Sequence, residues 1–343
     1  MDKKTKRNFI IILLITFLVM ILSFKNDYQN ILGMFRNIDF RWFIVAVMIM
    51  VIYNLLDVYF FHYYFNKDSK IRKRKYTFRQ ALEVQQTGNF FSAITPFASG
   101  GQFAQVMLFS KQKITTEQSA SVLMLSFISW QTVLVIFTSI ALVAKYNHFA
   151  QIFSGIFRLV FIGYGINVIV IVGLFLAAFS EGFHRFIFNT LIPFLGKLHL
   201  FKNVVSKQEE AKDWLALFKQ TFALLLNNKD ILIRRVVLDT LKIFTFYSIP
   251  FFAAKALNID IPFNRLLEII VLSSFVFLIA AFIPIPGAAG GTEGTFLLLL
   301  GPIFGVGSAS VMLLWRFLTY YLVMFVGFLF FANIKEMKAD KKS

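Results

Sequence analysis

Apolar residues in this chain fall in long continuous runs, not in the two-residue alternation of a half-buried strand. A helix needs ~20 residues to cross the hydrocarbon core of a bilayer. The runs Phe9–Phe24, Trp42–Phe65, Gln118–Ala144, Ile156–Phe179, Ile231–Leu257 and Ser308–Ala332 approach or exceed that length and predict six full spans. Phe9–Phe24 is the shortest. It follows a basic start, but no small-residue cleavage site comes after it, so it reads as a retained first helix and not a signal peptide. Two further apolar stretches, Gln80–Ser110 and Leu266–Gly301, are broken near the middle by proline and glycine, and each is expected to be a re-entrant hairpin. The predicted fold is an all-α polytopic membrane protein with about six full spans plus two re-entrant Pro/Gly-broken hairpins in an inverted repeat. A single transmembrane domain covers 1–343, with a first repeat half at about 40–179, a cytoplasmic amphipathic connector at 180–230 and a second half at 231–335. In the connector, Trp214, Leu217, Phe218, Phe222 and Leu225 recur at helical spacing beside a charged face, which suits a helix lying on the membrane or extending the next span.

The two breaks share a signature. "ITPFASGGQFAQ" (Ile94–Gln105) carries Pro96, three residues, then Gly100 and Gly101. "IPGAAGGTEG" (Ile285–Gly294) carries Pro286, three residues, then Gly290 and Gly291, 190 positions later. Interrupted apolar segments at matching places in two halves point to a binding site at their interface. Irregular backbone at membrane depth is tolerated where it is buried in protein or lines a watery cavity, and half-helix N-termini there can hold an anionic group. Kinks and close packing of helices would also use proline and glycine, but would not require two matched copies.

Polar residues gather around the breaks. Thr292 and Glu293 follow the second; Gln102 follows the first, and the arm before it holds Gln85, Gln86, Asn89, Ser92 and Thr95. The last span contributes Arg316, with Tyr320 one turn on. A charge at mid-span costs ~3 kcal/mol on insertion scales, so it faces a partner or a cavity. Glu293 and Arg316 are natural partners, as a structural ion pair, as part of a site, or as both. The candidate substrate-binding set is Asn89, Thr95, Pro96, Gly100, Gly101, Gln102, Pro286, Gly290, Gly291, Thr292, Glu293, Arg316 and Tyr320, with no catalytic group assigned. Asp57 and the group Arg234, Arg235, Asp239 and Lys242 are weaker candidates, the latter expected at the cytoplasmic interface.

Composition agrees with a membrane protein: 58% hydrophobic and only 15% charged residues, at mean hydropathy +0.70. The net charge of +17 could indicate nucleic acid, but most of the lysines and arginines lie in loops. With N and C termini cytoplasmic, 24 of the 35 Lys and Arg fall in inside loops and five in outside loops, the bias that fixes orientation. The cluster "KDSKIRKRKYTFR" (Lys67–Arg79) is the strongest anchor and meets anionic lipid, not nucleic acid. Zero cysteines exclude disulfides, thiolate metal sites and cysteine nucleophiles. His62, His148, His184 and His199 lack ligand spacing, and no Walker-type loop is present, so neither a metal, a cofactor nor ATP hydrolysis is expected.

These residues resemble the flippase-like integral membrane family that includes the transmembrane region of lysylphosphatidylglycerol synthase. The likeness lies in Pro284, Pro286, Gly287, Gly290 and Glu293, in Arg316, Tyr320 and Gly327 of the last helix, and more loosely in Pro96 to Gln102. It covers roughly residues 10–335. At the first motif the family often has an acidic residue followed by an arginine, whereas this chain has Gln102 and no nearby arginine. The resemblance implies moving or modifying a polar lipid in a bacterial cytoplasmic membrane. Because the sequence ends at "NIKEMKADKKS" after the last span, the aminoacyl-transfer domain of the two-part synthases is not expected here. The leading expectation is a lipid translocase for a polar or anionic, even aminoacylated, phospholipid or lipid carrier. An intramembrane lipid transferase and a lipid-binding partner of a separate synthase stay open, as does a homo-oligomer.

Overall fold

In a computed structural model, the described residues are 36–67, 75–152, 157–193 and 228–334 except 282, with isolated positions at 33 and within 208–227. The predicted span Phe9–Phe24, the connector stripe of Trp214, Leu217, Phe218, Phe222 and Leu225, and the tail 335–343 lie outside them. Among the described residues every regular element is helical: α1 (Phe40–Lys67), α2 (Phe78–Ile94), α3 (Gly100–Lys111), α4 (Thr116–Ile152), α5 (Phe157–Phe179), α6 (Glu181–Phe186), α7 (Lys229–Ala256), α8 (Leu266–Ala280), α9 (Gly291–Phe304), α10 (Ser308–Arg316) and α11 (Leu322–Asn333).

Five helical stretches are long and apolar enough to cross a membrane: Phe40–Lys67, Gln118–Ala144, Lys229–Ala256, Phe263–Ala280 and Pro286–Asn333. The predicted span over Ile156–Phe179 forms as α5, whose apolar part Val160–Leu176 is a shorter helix. Two features differ from the expected count. The descending arm of the second hairpin, with its leading 3₁₀ turn, is itself 18 residues long, and the predicted span Ser308–Ala332 is the end of a 48-residue helical run that begins at the second break. Glycine and proline turn this run through Gly305–Gly307 without ending it.

α1 and α7 form an antiparallel pair that organises the rest. At one end Lys67 Nζ meets Asp230 Oδ2 at 2.7 Å, and at the other the Asp39 N–H donates to the Ala256 carbonyl at 2.8 Å. The first hairpin leaves from the Lys67 end, where the Asn66 side chain bonds both backbone groups of Tyr76 at 2.8 and 2.9 Å. A capping box between Thr77 and Gln80 then starts α2 by satisfying backbone donors that have no partner in a first turn. The second hairpin leaves from the opposite end, where Phe263 packs on Trp42 and Phe251 with ring centroids at 6.0 and 5.1 Å. The 3₁₀ turns at the two tips, Pro96–Ala98 and Pro286–Ala288, pack against each other. Element starts recur in step, as Phe40 and Lys229, Phe78 and Leu266, Gly100 and Gly291, and Thr116 and Ser308, each pair 188 to 192 residues apart.

Apolar packing fills the space on both sides of the tips. One cluster centres on Phe275, Phe296 and Trp315, the last two stacked at 4.7 Å; the other centres on Phe60, Phe65, Tyr76 and Phe109. Lipid tails are as apolar as these side chains, so close van der Waals fit must hold the helices together. At Gly327 α11 comes so near α2 that a Cβ would lie 2.5 Å from the Gln86 carbonyl oxygen. Any side chain there would force the two helices apart.

Candidate functional site

The two breaks fold alike, residue for residue. Thr95 and Ile285 are extended, at φ −117, ψ 146 and φ −113, ψ 140. Phe97 and Gly287 follow in the left-handed region at φ 53 and 63, then Ala98 and Ala288 at φ 54 and 48. In each, the third residue's N–H returns to the carbonyl before the proline, Ala98 to Thr95 at 3.2 Å and Ala288 to Ile285 at 2.8 Å. Proline fixes its own φ and pushes the residue before it to extended backbone, which explains why both turns begin the same way.

After the turns the halves diverge. In the first, the Thr95 hydroxyl donates to the Phe91 carbonyl at 2.7 Å and accepts from the Gly100 N–H at 2.8 Å, capping α3 with a neutral group. Gly100 and Gly101 permit this fold-back, since a Cβ on Gly101 would lie 2.9 Å from the Gly88 carbonyl oxygen. In the second, Gly290 sits at φ 82 and its N–H donates to Glu293 Oε2 at 2.7 Å. Glu293 Oε1 accepts from Arg316 Nε at 2.6 Å, and Arg316 Nη2 donates to the Gly287 carbonyl at 2.9 Å. Thr292 donates to the Ala288 carbonyl at 3.1 Å. Tyr320 stacks under the Arg316 guanidinium at 4.7 Å and donates to the Ala93 carbonyl at 2.9 Å, tying the last helix to the first hairpin. A π-helical turn over Phe317–Tyr321 follows Arg316 and contains Tyr320; such widened turns are frequent at functional sites.

Between the tips, α1, α4 and α7 lies a cavity of about 710 Å³. Asn89, Gln102, Thr292, Arg316 and Tyr320 of the predicted set line it. Thr95, Pro96, Gly100, Gly101, Pro286, Gly290, Gly291 and Glu293 do not; they shape the turns and hold Arg316 from behind. Three carbonyl or carboxylate groups thus position one guanidinium, or the ring below it, at the cavity wall.

Arg235, Asp239 and Lys242, weaker candidates expected near the cytoplasmic interface, are buried within the protein. Arg235 is 1% exposed, Asp239 0% and Lys242 6%, and they meet Asp57 of α1 in a buried quartet. Arg235 Nη1 bonds Asp57 Oδ1 at 2.9 Å, its Nε bonds Asp239 Oδ2 at 2.9 Å and its Nη2 bonds Asp239 Oδ1. Lys242 Nζ bonds Asp57 Oδ2 at 2.8 Å and lies 4.7 Å over the Trp130 ring. Only Arg234 faces outward, paired with Asp230. Buried charge of this kind persists when paired and hydrogen-bonded, because isolation would cost several kcal/mol. Asp57 alone at mid-run in α1 was the sequence signal that a buried partner must exist.

Amides link the quartet to the first hairpin: Gln85 Nε2 reaches Asp57 Oδ2 at 3.5 Å and Asn89 Oδ1 at 3.1 Å, and Asn89 Nδ2 reaches Asn54 Oδ1 at 2.6 Å. Among the described residues no group of three or more His, Asp or Glu could hold a metal ion. The cavity can hold a polar group by hydrogen bonds and charge.

The family model described as Lysylphosphatidylglycerol synthase TM region matches residues 9–327. No curated protein and no solved structure matches the chain.

Proposed function

The chain belongs to the lysylphosphatidylglycerol synthase TM region family, and from that premise we propose that it is a translocase for lipids with a polar or anionic head group, aminoacylated or not. The observation that carries this reading is the cavity between two hairpin tips that arrive from opposite ends of the α1–α7 pair. Such a cavity replaces the water that a head group loses when it enters ~30 Å of hydrocarbon. Arg316, Gln102 and Asn89 supply hydrogen bonds there, while the acyl chains stay in the bilayer. We read the hairpins as re-entrant and the halves 40–179 and 231–335 as an inverted repeat in one domain, joined by the cytoplasmic connector 180–230. Rocking of one half against the other, with the buried quartet as the fixed axis, would open the cavity to each side in turn. The reading places the chain in the bacterial cytoplasmic membrane with both termini in the cytoplasm, in keeping with the distribution of lysine and arginine.

The test is reconstitution of the purified protein into liposomes carrying labelled anionic, aminoacylated or polyprenyl-phosphate lipid, with leaflet accessibility as readout. Movement of one class that Arg316→Ala and Glu293→Gln both abolish is the expected outcome. No movement of any class by folded protein removes the translocase reading. Formation of a new lipid by the protein alone would establish a transferase, and activity only alongside a co-purifying synthase would establish a partner subunit.

A further inference from the structure

Resting on the reading of this cavity as the lipid site, we propose that the head group it takes is an anionic phosphate or phosphodiester that carries no ammonium group. The charge on the wall is one-sided. Arg235, Lys242 and Arg316 line the cavity, and among the described residues Asp57 is the one carboxylate that does. Both Asp57 oxygens are committed, Oδ1 to Arg235 and Oδ2 to Lys242. The other two nearby carboxylates, Glu293 and Asp239, stand off the wall and hold Arg316 and Arg235 from behind.

An ammonium entering here would meet three cations and no carboxylate of its own. The aromatic face of Trp130, which could otherwise hold an ammonium, already carries Lys242 Nζ at 4.7 Å. The first hairpin offers amides in place of acids, with Gln85, Asn89, Gln102 and Gln105 on the wall.

An anion finds donors that the protein leaves unused. Arg316 is 5% exposed and spends Nε and Nη2 on Glu293 and Gly287, leaving Nη1 without a partner among the described residues. Lys242, 6% exposed, makes one hydrogen bond, to Asp57, and otherwise meets Asp239 Oδ1 at 3.9 Å and the faces of Tyr53 and Trp130. Buried cations with spare donors are stabilised by a phosphate through short charge-assisted hydrogen bonds.

The test measures binding rather than movement. Full-length protein in nanodiscs is titrated with short-chain phosphatidylglycerol, its lysyl ester, phosphatidylcholine and inorganic phosphate, following tryptophan emission, with Trp130→Phe identifying the cavity signal. Phosphatidylglycerol should bind about tenfold more tightly than the lysyl ester or phosphatidylcholine, the difference one charge-assisted contact makes. Arg316→Gln should weaken it by about tenfold. Gln102→Glu, at an exposed position on the cavity wall, should invert the preference towards the lysyl ester; this variant keeps the test intact should Arg316→Gln fail to fold. Equal or tighter binding of the lysyl ester by the wild type overturns the proposal, as does phosphatidylglycerol binding that ignores both substitutions. Inorganic phosphate bound without any phosphatidylglycerol also overturns it, by making this a free-phosphate site. Phosphatidylglycerol that binds as expected while no labelled lipid class changes leaflet leaves this inference standing and removes the translocase reading; movement of the lysyl ester does the reverse.

Discussion

The two hairpin tips have nearly the same backbone and opposite chemistry. At the first, a threonine hydroxyl closes the turn, and phenylalanine and alanine occupy left-handed positions that L-residues resist by about 1–2 kcal/mol each. At the second, glycine occupies the first of those positions, and a carboxylate and a guanidinium clamp the turn. The comparison separates what the shape needs from what the chemistry needs. Proline and a return hydrogen bond suffice for the shape; the charges at the second tip hold Arg316 at the cavity wall.

Removing the clamp should show the difference most strongly. Arg316→Ala leaves Glu293 largely buried without its cation and should cost about 3–5 kcal/mol in thermal unfolding in detergent. Adding Glu293→Ala should recover part of that loss, since the orphaned charge goes too; a double variant no more stable than Arg316→Ala would disprove the coupling. Gly287→Ala should follow at about 2–4 kcal/mol, combining left-handed strain with a methyl 2.4 Å from the Tyr320 ring. At the first tip the matching changes should be mild. Thr95→Ala removes a neutral cap and should cost about 1 kcal/mol. Phe97→Gly, the mirror of Gly287→Ala, should be neutral or stabilise by up to about 1 kcal/mol. If the Phe97 change destabilised as much as the Gly287 change, the tips would be equivalent and the contrast would fail.

The sequence made much of this legible for definite reasons. Two Pro-x-x-x-Gly-Gly motifs 190 residues apart announced matched turns, because proline dictates the conformation on both its sides. A carboxylate and an arginine in apolar surroundings announced each other, and Glu293 and Arg316 do pair. Span counting was less secure, since an arm such as Phe263–Ala280 has the length of a hairpin limb and of a short span alike. Burial of the quartet was missed because Arg234 and Asp230 do face outward, while Arg235 and Asp239, one turn apart on the same helix, face in. Hydropathy reads composition along a window, not the angular position of each charge. Nothing local revealed the π-helical turn beside Arg316, which packs against α1.

The quartet also sets an order of events during synthesis. Asp57 leaves the ribosome 178 residues before Arg235, a delay of roughly 10–35 s at ordinary elongation rates. Throughout that interval the first half carries a carboxylate whose counter-charges do not yet exist. A fragment ending at residue 179 should therefore be cleared by membrane quality control when produced alone and persist when residues 180–343 are supplied as a second chain, a difference that pulse-chase labelling would measure. The buried charges can satisfy one another only once both halves of the chain are present.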